Sequence, residues 1–113
     1  MTELIAREAM AIANPTTEIV AVNPKDGPAA IQGKEDGNAA VPHLFALFDE
    51  MMAKEHFDAA IIACFDDTGL WELKEKSSIP VLGIGEAGYH IAMLLARQFS
   101  VVTTLPVSLP VLE

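Results

Sequence analysis

The spacing of apolar positions changes several times along the chain, and each change predicts an element. Leu4, Ile5, Ala9 and Ile12 recur near helical spacing. They predict an amphipathic helix over 2–13, capped by Thr2 and stopped by Asn14-Pro15. The β-branched run TEIVAV at 17–22 predicts a strand. NPKDGP at 23–28 is turn chemistry, and the polar, glycine-containing segment up to Asn38 continues that loop. Leu44, Phe48, Met51 and Met52 stand at i, i+4, i+7 and i+8, which predicts a core-facing helix over 42–55. Its sulfur-rich face reads as packing. AAIIAC at 59–64 is continuously apolar, as strands of a parallel sheet covered on both faces are. Asp67 or Thr68 is placed to cap a short helix through LWELKEK. IPVLGI at 79–84 predicts a second buried strand, Gly85 to Gln98 a helix with Ile91, Leu94 and Leu95 inward, and SVVTT at 100–104 a further strand. The tail over 105–113 carries two prolines and predicts no regular element.

Helix and strand therefore alternate, which predicts an α/β fold: a small parallel sheet of about four strands with helices on both faces, in a single domain over 1–113. Functional residues in such sheets gather at the carboxyl ends of strands. Cys64, Gly85, Thr103 and Thr104 occupy those positions.

Composition narrows the partners. Half the residues are hydrophobic (51%) and 20% are charged, a globular balance rather than a disordered one. The formal net charge of -9 argues against nucleic acid or an anionic membrane surface, since both need a basic footprint. The apolar runs are far shorter than a membrane span, and the first residues do not read as a signal peptide. A single cysteine forms no internal disulfide, which fits a reducing cytoplasm.

The candidate chemistry centres on two turns. GIGEAG at 83–88 has the form G-x-G-x-x-G between a strand and a helix. A dinucleotide site also needs an acid at the end of the next strand, and that strand ends in Thr103-Thr104. A tight turn offering helix N–H groups to a small polar ligand is the better reading. Cys64 ends a predicted strand and precedes Phe65-Asp66-Asp67-Thr68-Gly69. It reads either as a packed core thiol or as a reactive one in a turn of backbone N–H groups. A hydrolase would need a histidine base beside it, and His90 is the one placed to approach. His43 and His56 flank a helix. Asp66 and Asp67 read as paired acids or as caps, and Thr103 and Thr104 as hydroxyl donors or strand residues. Lys74 and Arg97 read as solvated helix-face charges. No metal-ligand cluster is present at helical or turn spacing.

Four blocks then agree on a family. TEIVAVNPKDGPAAI at 17–31, ACFDDTGL at 63–70, IPVLGIGEA at 79–87 and FSVVTTL at 99–105 resemble the hydantoin/allantoin racemase branch of the Asp/Glu racemase superfamily. The resemblance covers nearly all of 1–105. It implies racemisation without a cofactor, in two α/β lobes related by a pseudo-twofold axis. Each lobe contributes one cysteine, on opposite faces of the stereocentre. One thiolate removes the proton alpha to a carbonyl and the other thiol returns one. A thiol suits this work because its ordinary pKa of about 8.5 lies near the operating pH. Cys64 matches the first-lobe cysteine. Thr103 and Thr104 match the strand that opens the second lobe. Phe65, Asp66, Gly85, Glu86, Thr103 and Thr104 would face a hydantoin-like substrate and stabilise the developing enolate.

Two features depart from the family pattern: the opening Asn-Pro-Asn-Thr strand and the second cysteine are both missing from this sequence. The tail VSLPVLE weakly resembles a later family segment. The chain therefore resembles a shortened first lobe. Two-base racemisation predicts little activity for a lone monomer, and a homodimer or other homo-oligomer that pairs two copies of Cys64 would restore it. A ligand-binding remnant without catalysis and a cysteine hydrolase are the alternatives.

Overall fold

The computed structural model describes residues 1–112. Its elements follow the order α1 (Thr2–Ile12), α2 (Lys34–Lys54), β1 (Ala60–Ile62), α3 (Leu70–Lys76), β2 (Val81–Gly83), α4 (Ile84–Leu95), a 3-10 turn (Pro106–Ser108) and α5 (Leu109–Leu112). β1 and β2 pair in parallel, with Ala60 opposite Val81 and Ile62 opposite Gly83. The crossover between them is α3, so the centre of the molecule is one β-α-β unit continued by α4, as the alternating pattern predicts.

The sheet has two strands rather than about four. Residues 17–22 and 100–104 form no strand, although both are rich in β-branched residues. A β-branched run becomes a strand only where a neighbour offers its backbone. β1 and β2 pair with each other alone. The consequence shows in burial. Ile62 and Val81 are buried, whereas Ile61 (64%) and Leu82 (50%) are exposed. One face of the sheet carries the core and the other is open among the described residues, contrary to the two covered faces that AAIIAC and IPVLGI predict.

The core is small. Ile62, Leu70, Leu73 and Val81 are buried, and Leu44, Phe45 and Phe48 of α2 close over them together with Ala60 and Cys64. Leu73, at 0% exposure, alone contributes roughly 1.5–3 kcal/mol by leaving water. α2 is the helix expected from Leu44, Phe48, Met51 and Met52, but it begins at Lys34 and runs through Pro42. The segment read as loop up to Asn38 is therefore partly helical. Its start is held by Asp36, whose carboxylate accepts the Gln32 N–H at 3.0 Å. Pro42 removes one helical N–H, a cost that packing of the Leu44–Phe48 face offsets.

Two other expectations fail for lack of a packing partner. α1 buries none of its residues, and Ile91, Leu94 and Leu95 of α4 are exposed. Thr2 does not cap α1; its hydroxyl donates to the Asn23 side-chain oxygen at 2.7 Å and ties the helix to the following loop. The tail, expected to be irregular, is helical over 106–112, with Ser108 buried. Val107 packs against Gly33, where an added Cβ would meet the valine side chain at 3.0 Å. Glu113 lies outside the described residues.

Candidate active site

Cys64 stands two residues beyond the end of β1, in the turn that leads to α3. The turn is closed by its own backbone: the Asp67 N–H donates to the Cys64 carbonyl at 3.0 Å, and the Leu70 N–H donates to the Asp67 carbonyl at 3.0 Å. Asp67 is forced to a φ of 49° and Gly69 to 72°. The left-handed region suits aspartate and glycine, which is why Asp-Thr-Gly can turn here. Gly69, not Asp67 or Thr68, is the N-cap of α3, and no side chain bonds to that end.

The side chains expected at that cap are used elsewhere. Asp67 reaches across to the start of α4. Its carboxylate accepts the Gly85 N–H at 3.0 Å and the Glu86 N–H at 2.5 Å. A carboxylate on two N–H groups of a helix's first turn is a strong pairing, because the helix dipole adds to the charge-assisted bonds. The glycines of GIGEAG serve this contact. A Cβ on Gly83 would lie 2.1 Å from an Asp67 oxygen, and one on Gly85 would lie 2.2 Å from the Phe65 carbonyl. Contrary to the expectation that this turn offers helix N–H groups to a small polar ligand, the Gly85 and Glu86 N–H groups are both taken. The turn receives a carboxylate from the chain itself.

Thr68 takes the thiol. Its hydroxyl lies 3.5 Å from Cys64 Sγ. Cys64 is half-buried and packs against the core, so it is both a packed thiol and a residue of the turn. His90 does not bond to it. The His90 Nδ1 lies 2.8 Å from the Glu86 carbonyl, one turn back along α4. The Cys–His pairing of a hydrolase is therefore not formed.

A cleft of about 390 Å³ opens beside these turns. Phe65, Asp66, Asp67, Trp71, Glu86, Tyr89 and His90 line it, together with Val111 and Leu112 of α5. A smaller cleft of about 140 Å³ shares Asp66, Asp67 and Val111 with it, and Thr68 lines this one. The Cys64 thiol lines neither; its hydrogen-bond partner Thr68 does. Of the residues expected to face substrate, Phe65, Asp66 and Glu86 share the larger cleft. Gly85 is buried behind it. Thr103 and Thr104 line neither cleft, because the segment that carries them is not a strand.

Sequence reasoning missed two lining residues, Trp71 and Tyr89, and the partners of Lys74 beside them. Trp71 was hidden in a run that reads as a short charged helix. Tyr89 sits between Phe65, edge to face at 5.5 Å, and Phe99, stacked at 6.0 Å. Burial, with the charges of Asp67 and Asp66 adding to it, raises the Tyr89 hydroxyl above the usual 10. Lys74, read as a solvated charge, instead lies 4.5 Å from the Trp71 ring centre and donates to both Glu86 oxygens at 2.7 and 2.6 Å.

That ion pair gives a pH signature. The Lys74 hydrogen bond holds the Glu86 carboxyl below its ordinary 4.5, against the opposing effect of burial. A depressed carboxylate adds stability above its unfolded value and loses it as pH falls through the folded value. The melting temperature is therefore expected to fall as pH drops from 4.5 downward. Glu86→Gln should flatten part of that decline in a thermal melt followed by circular dichroism. Exposed Glu50, paired with Lys54, contributes in the same direction, so the difference between wild type and variant is the informative quantity.

No cluster of metal-binding side chains occurs among the described residues, and no described helix is long and apolar enough to cross a membrane.

Comparison with known proteins decides the family. The sequence profile of the Asp/Glu/hydantoin racemases matches residues 1–113. The chain belongs to this family. A hydantoin racemase from Rhizobium meliloti is 41% identical over 113 residues, all of this chain and 46% of its own length. One from Pseudomonas sp. is 41% identical over 108 residues, 94% of this chain and 42% of its own. Among solved structures, an allantoin racemase from Klebsiella pneumoniae superposes with a TM-score of 0.91 at 39% identity, over 98% of this chain and 45% of that one. An allantoin racemase from Pseudomonas fluorescens gives 0.86 at 39%, over 99% and 47%. The chain therefore spans just under half the length of these relatives. The racemase fold carries the β1–Cys64–α3–β2–GIGEAG unit in this chain.

Proposed function

We propose that this chain provides the Cys64 half of a cofactor-independent racemase site for 5-substituted hydantoins or allantoin. The observation that supports this most directly is the latched pair of turns. Asp67 holds the Cys64 turn against the start of α4 through two backbone N–H groups, in a chain about 40% identical to hydantoin racemases. In this reading the Cys64 thiolate removes the proton alpha to the ring carbonyl. The thiol so formed holds that proton while the enolate forms, and Thr68 keeps the sulfur in place. Return of a proton to the opposite face needs a second donor. Cys64 is the only cysteine in this sequence, and a homodimer with two facing copies of Cys64 is an arrangement that would provide the second thiol.

The two half-reactions can be separated. In deuterium oxide, the isolated chain should exchange the stereocentre proton of a chiral hydantoin faster than it inverts the centre. Nuclear magnetic resonance follows exchange and polarimetry follows inversion. Size-exclusion chromatography of the same sample assigns each rate to monomer or dimer. Inversion equal to exchange in a verified monomer would refute the need for a second chain, and exchange no faster than in buffer would refute the racemase reading.

The His90 contact with Glu86 leaves a cysteine hydrolase without a histidine base at Cys64.

A further inference from the structure

The chain leaves too much of itself uncovered for a monomer. Its solvent-accessible surface is 8508 Å². A folded monomer of 12.1 kDa exposes about 6,000 Å². The radius of gyration, 14.8 Å, likewise exceeds the roughly 13 Å of a compact domain of 113 residues. The surplus of about 2,500 Å² is on the scale that each subunit buries in a large obligate homodimer, where the pair together loses roughly 2,000–5,000 Å². Part of the surplus is an apolar face. Ile61 of β1 and Leu82 of β2 stand opposite each other in the ladder and point out of the open side of the sheet. Ile84, Ile91 and Leu95 fall at i, i+7 and i+11, one stripe of α4, and Leu94 flanks it. All six are exposed, Leu94 and Leu95 at 82%. Neither 59–64 nor 87–96 contains an Asp, Glu, Lys or Arg, in a chain whose net charge is -9. Exposed apolar clusters of this kind mark contact surfaces.

We infer that Ile61, Leu82 and the Ile84–Leu95 stripe of α4 form a self-docking face, on which a second copy of this chain seats about a twofold axis. An uncharged apolar patch suits such a contact. Two copies meet there without opposing like charges, although each is strongly acidic elsewhere. A twofold contact is also closed: the same patch is used up on both chains, and assembly stops at two. The area argument stands without the racemase reading. Under that reading the inference names the partner of the Cys64 half-site. The face begins at Ile61, three residues before the thiol, and the second copy carries the second Cys64.

Sedimentation velocity of the intact chain across the micromolar range tests this without any substrate. The expected result is a discrete species of two chains. Leu94→Glu combined with Leu95→Glu should raise the dissociation constant about tenfold or more, since the new carboxylates would be pressed against those of the partner. Both positions are exposed, and glutamate forms helix about as well as leucine, so circular dichroism of the variant should match wild type. Leu4→Glu on α1, outside the docking face, should leave the dimer intact. A chain that stays monomeric at every concentration would overturn the inference and leave the face to a different partner. Open-ended larger species would overturn it too, as would a dimer that survives the paired glutamates. The concentration series on the wild-type chain decides for or against a dimer whatever the variants do. Deuterium exchange by a verified monomer would remove the dimer and spare the racemase reading, whereas a dimer that exchanges nothing would do the reverse.

Discussion

If Cys64 is the base, its replacement by serine is expected to abolish deuterium exchange at the hydantoin stereocentre and barely move the melting temperature. The two halves of this expectation come from different facts. Exchange requires a base whose conjugate acid is comparable in strength to the medium at neutral pH. A thiol meets that condition and an alcohol does not, so the loss is at least about a hundredfold, the lower end of what a positioned general base contributes. Stability hardly changes because the site already suits a hydroxyl. Cys64 is only half-buried, and Thr68 Oγ1 stands 3.5 Å from the sulfur, ready to pair with serine's oxygen. The expected cost is within about 1 kcal/mol, the scale of one neutral hydrogen bond. Exchange in Cys64→Ser at the wild-type rate would show that another group is the base. A large drop in melting temperature with exchange retained would make the thiol a packing residue after all.

The positions that sequence made legible are those fixed by local chemistry. Continuous apolar runs marked β1 and β2 because both strands abut the only buried core in the described residues. Asp-Thr-Gly marked a turn because its residues tolerate positive φ. Cys64 fell at a strand's carboxyl end for the same reason. The order of elements followed, and with it the α/β class. Illegible positions depended on who packs against whom. TEIVAV and SVVTT carry strand-forming residues but find no ladder partner, and Leu94 and Leu95 carry helical spacing but face no neighbour. Asp67 is the clearest case within the site. Its sequence context fits a cap for α3, the helix three residues ahead. Its carboxylate instead caps α4, eighteen residues ahead at Gly85, and only the close approach of two glycine turns makes that reach possible. The signal that pointed to it was G-x-G itself, read as room for a ligand when it is room for the chain's own side chain and carbonyl.

Gly85→Ala tests that reading through stability and should be the most damaging single methyl in the site. The new Cβ would lie 2.2 Å from the Phe65 carbonyl oxygen and 2.8 Å from an Asp67 oxygen. A backbone oxygen has no rotamer to move into, so one of the two turns must shift. That shift stretches the pair of bonds from Asp67 to α4. Overpacking costs about 1–3 kcal/mol, and a hydrogen bond to a charged group contributes about 1.5–3 kcal/mol, so a loss of about 3 kcal/mol is expected. In a domain this small that lowers the melting temperature by roughly 10 °C or more. The same shift unseats the Cys64 turn, so alkylation of the thiol by iodoacetamide should change rate in parallel. Gly88→Ala is the internal control. Its Cβ would meet only the Phe65 ring at 3.5 Å, an ordinary contact, and alanine favours a helix interior over glycine by roughly 0.5–1 kcal/mol. Thermal melts of the two variants should therefore move in opposite directions from wild type. If Gly85→Ala melts with Gly88→Ala, the turns are not pressed together as described, and the latch that holds Cys64 beside α4 loses its support.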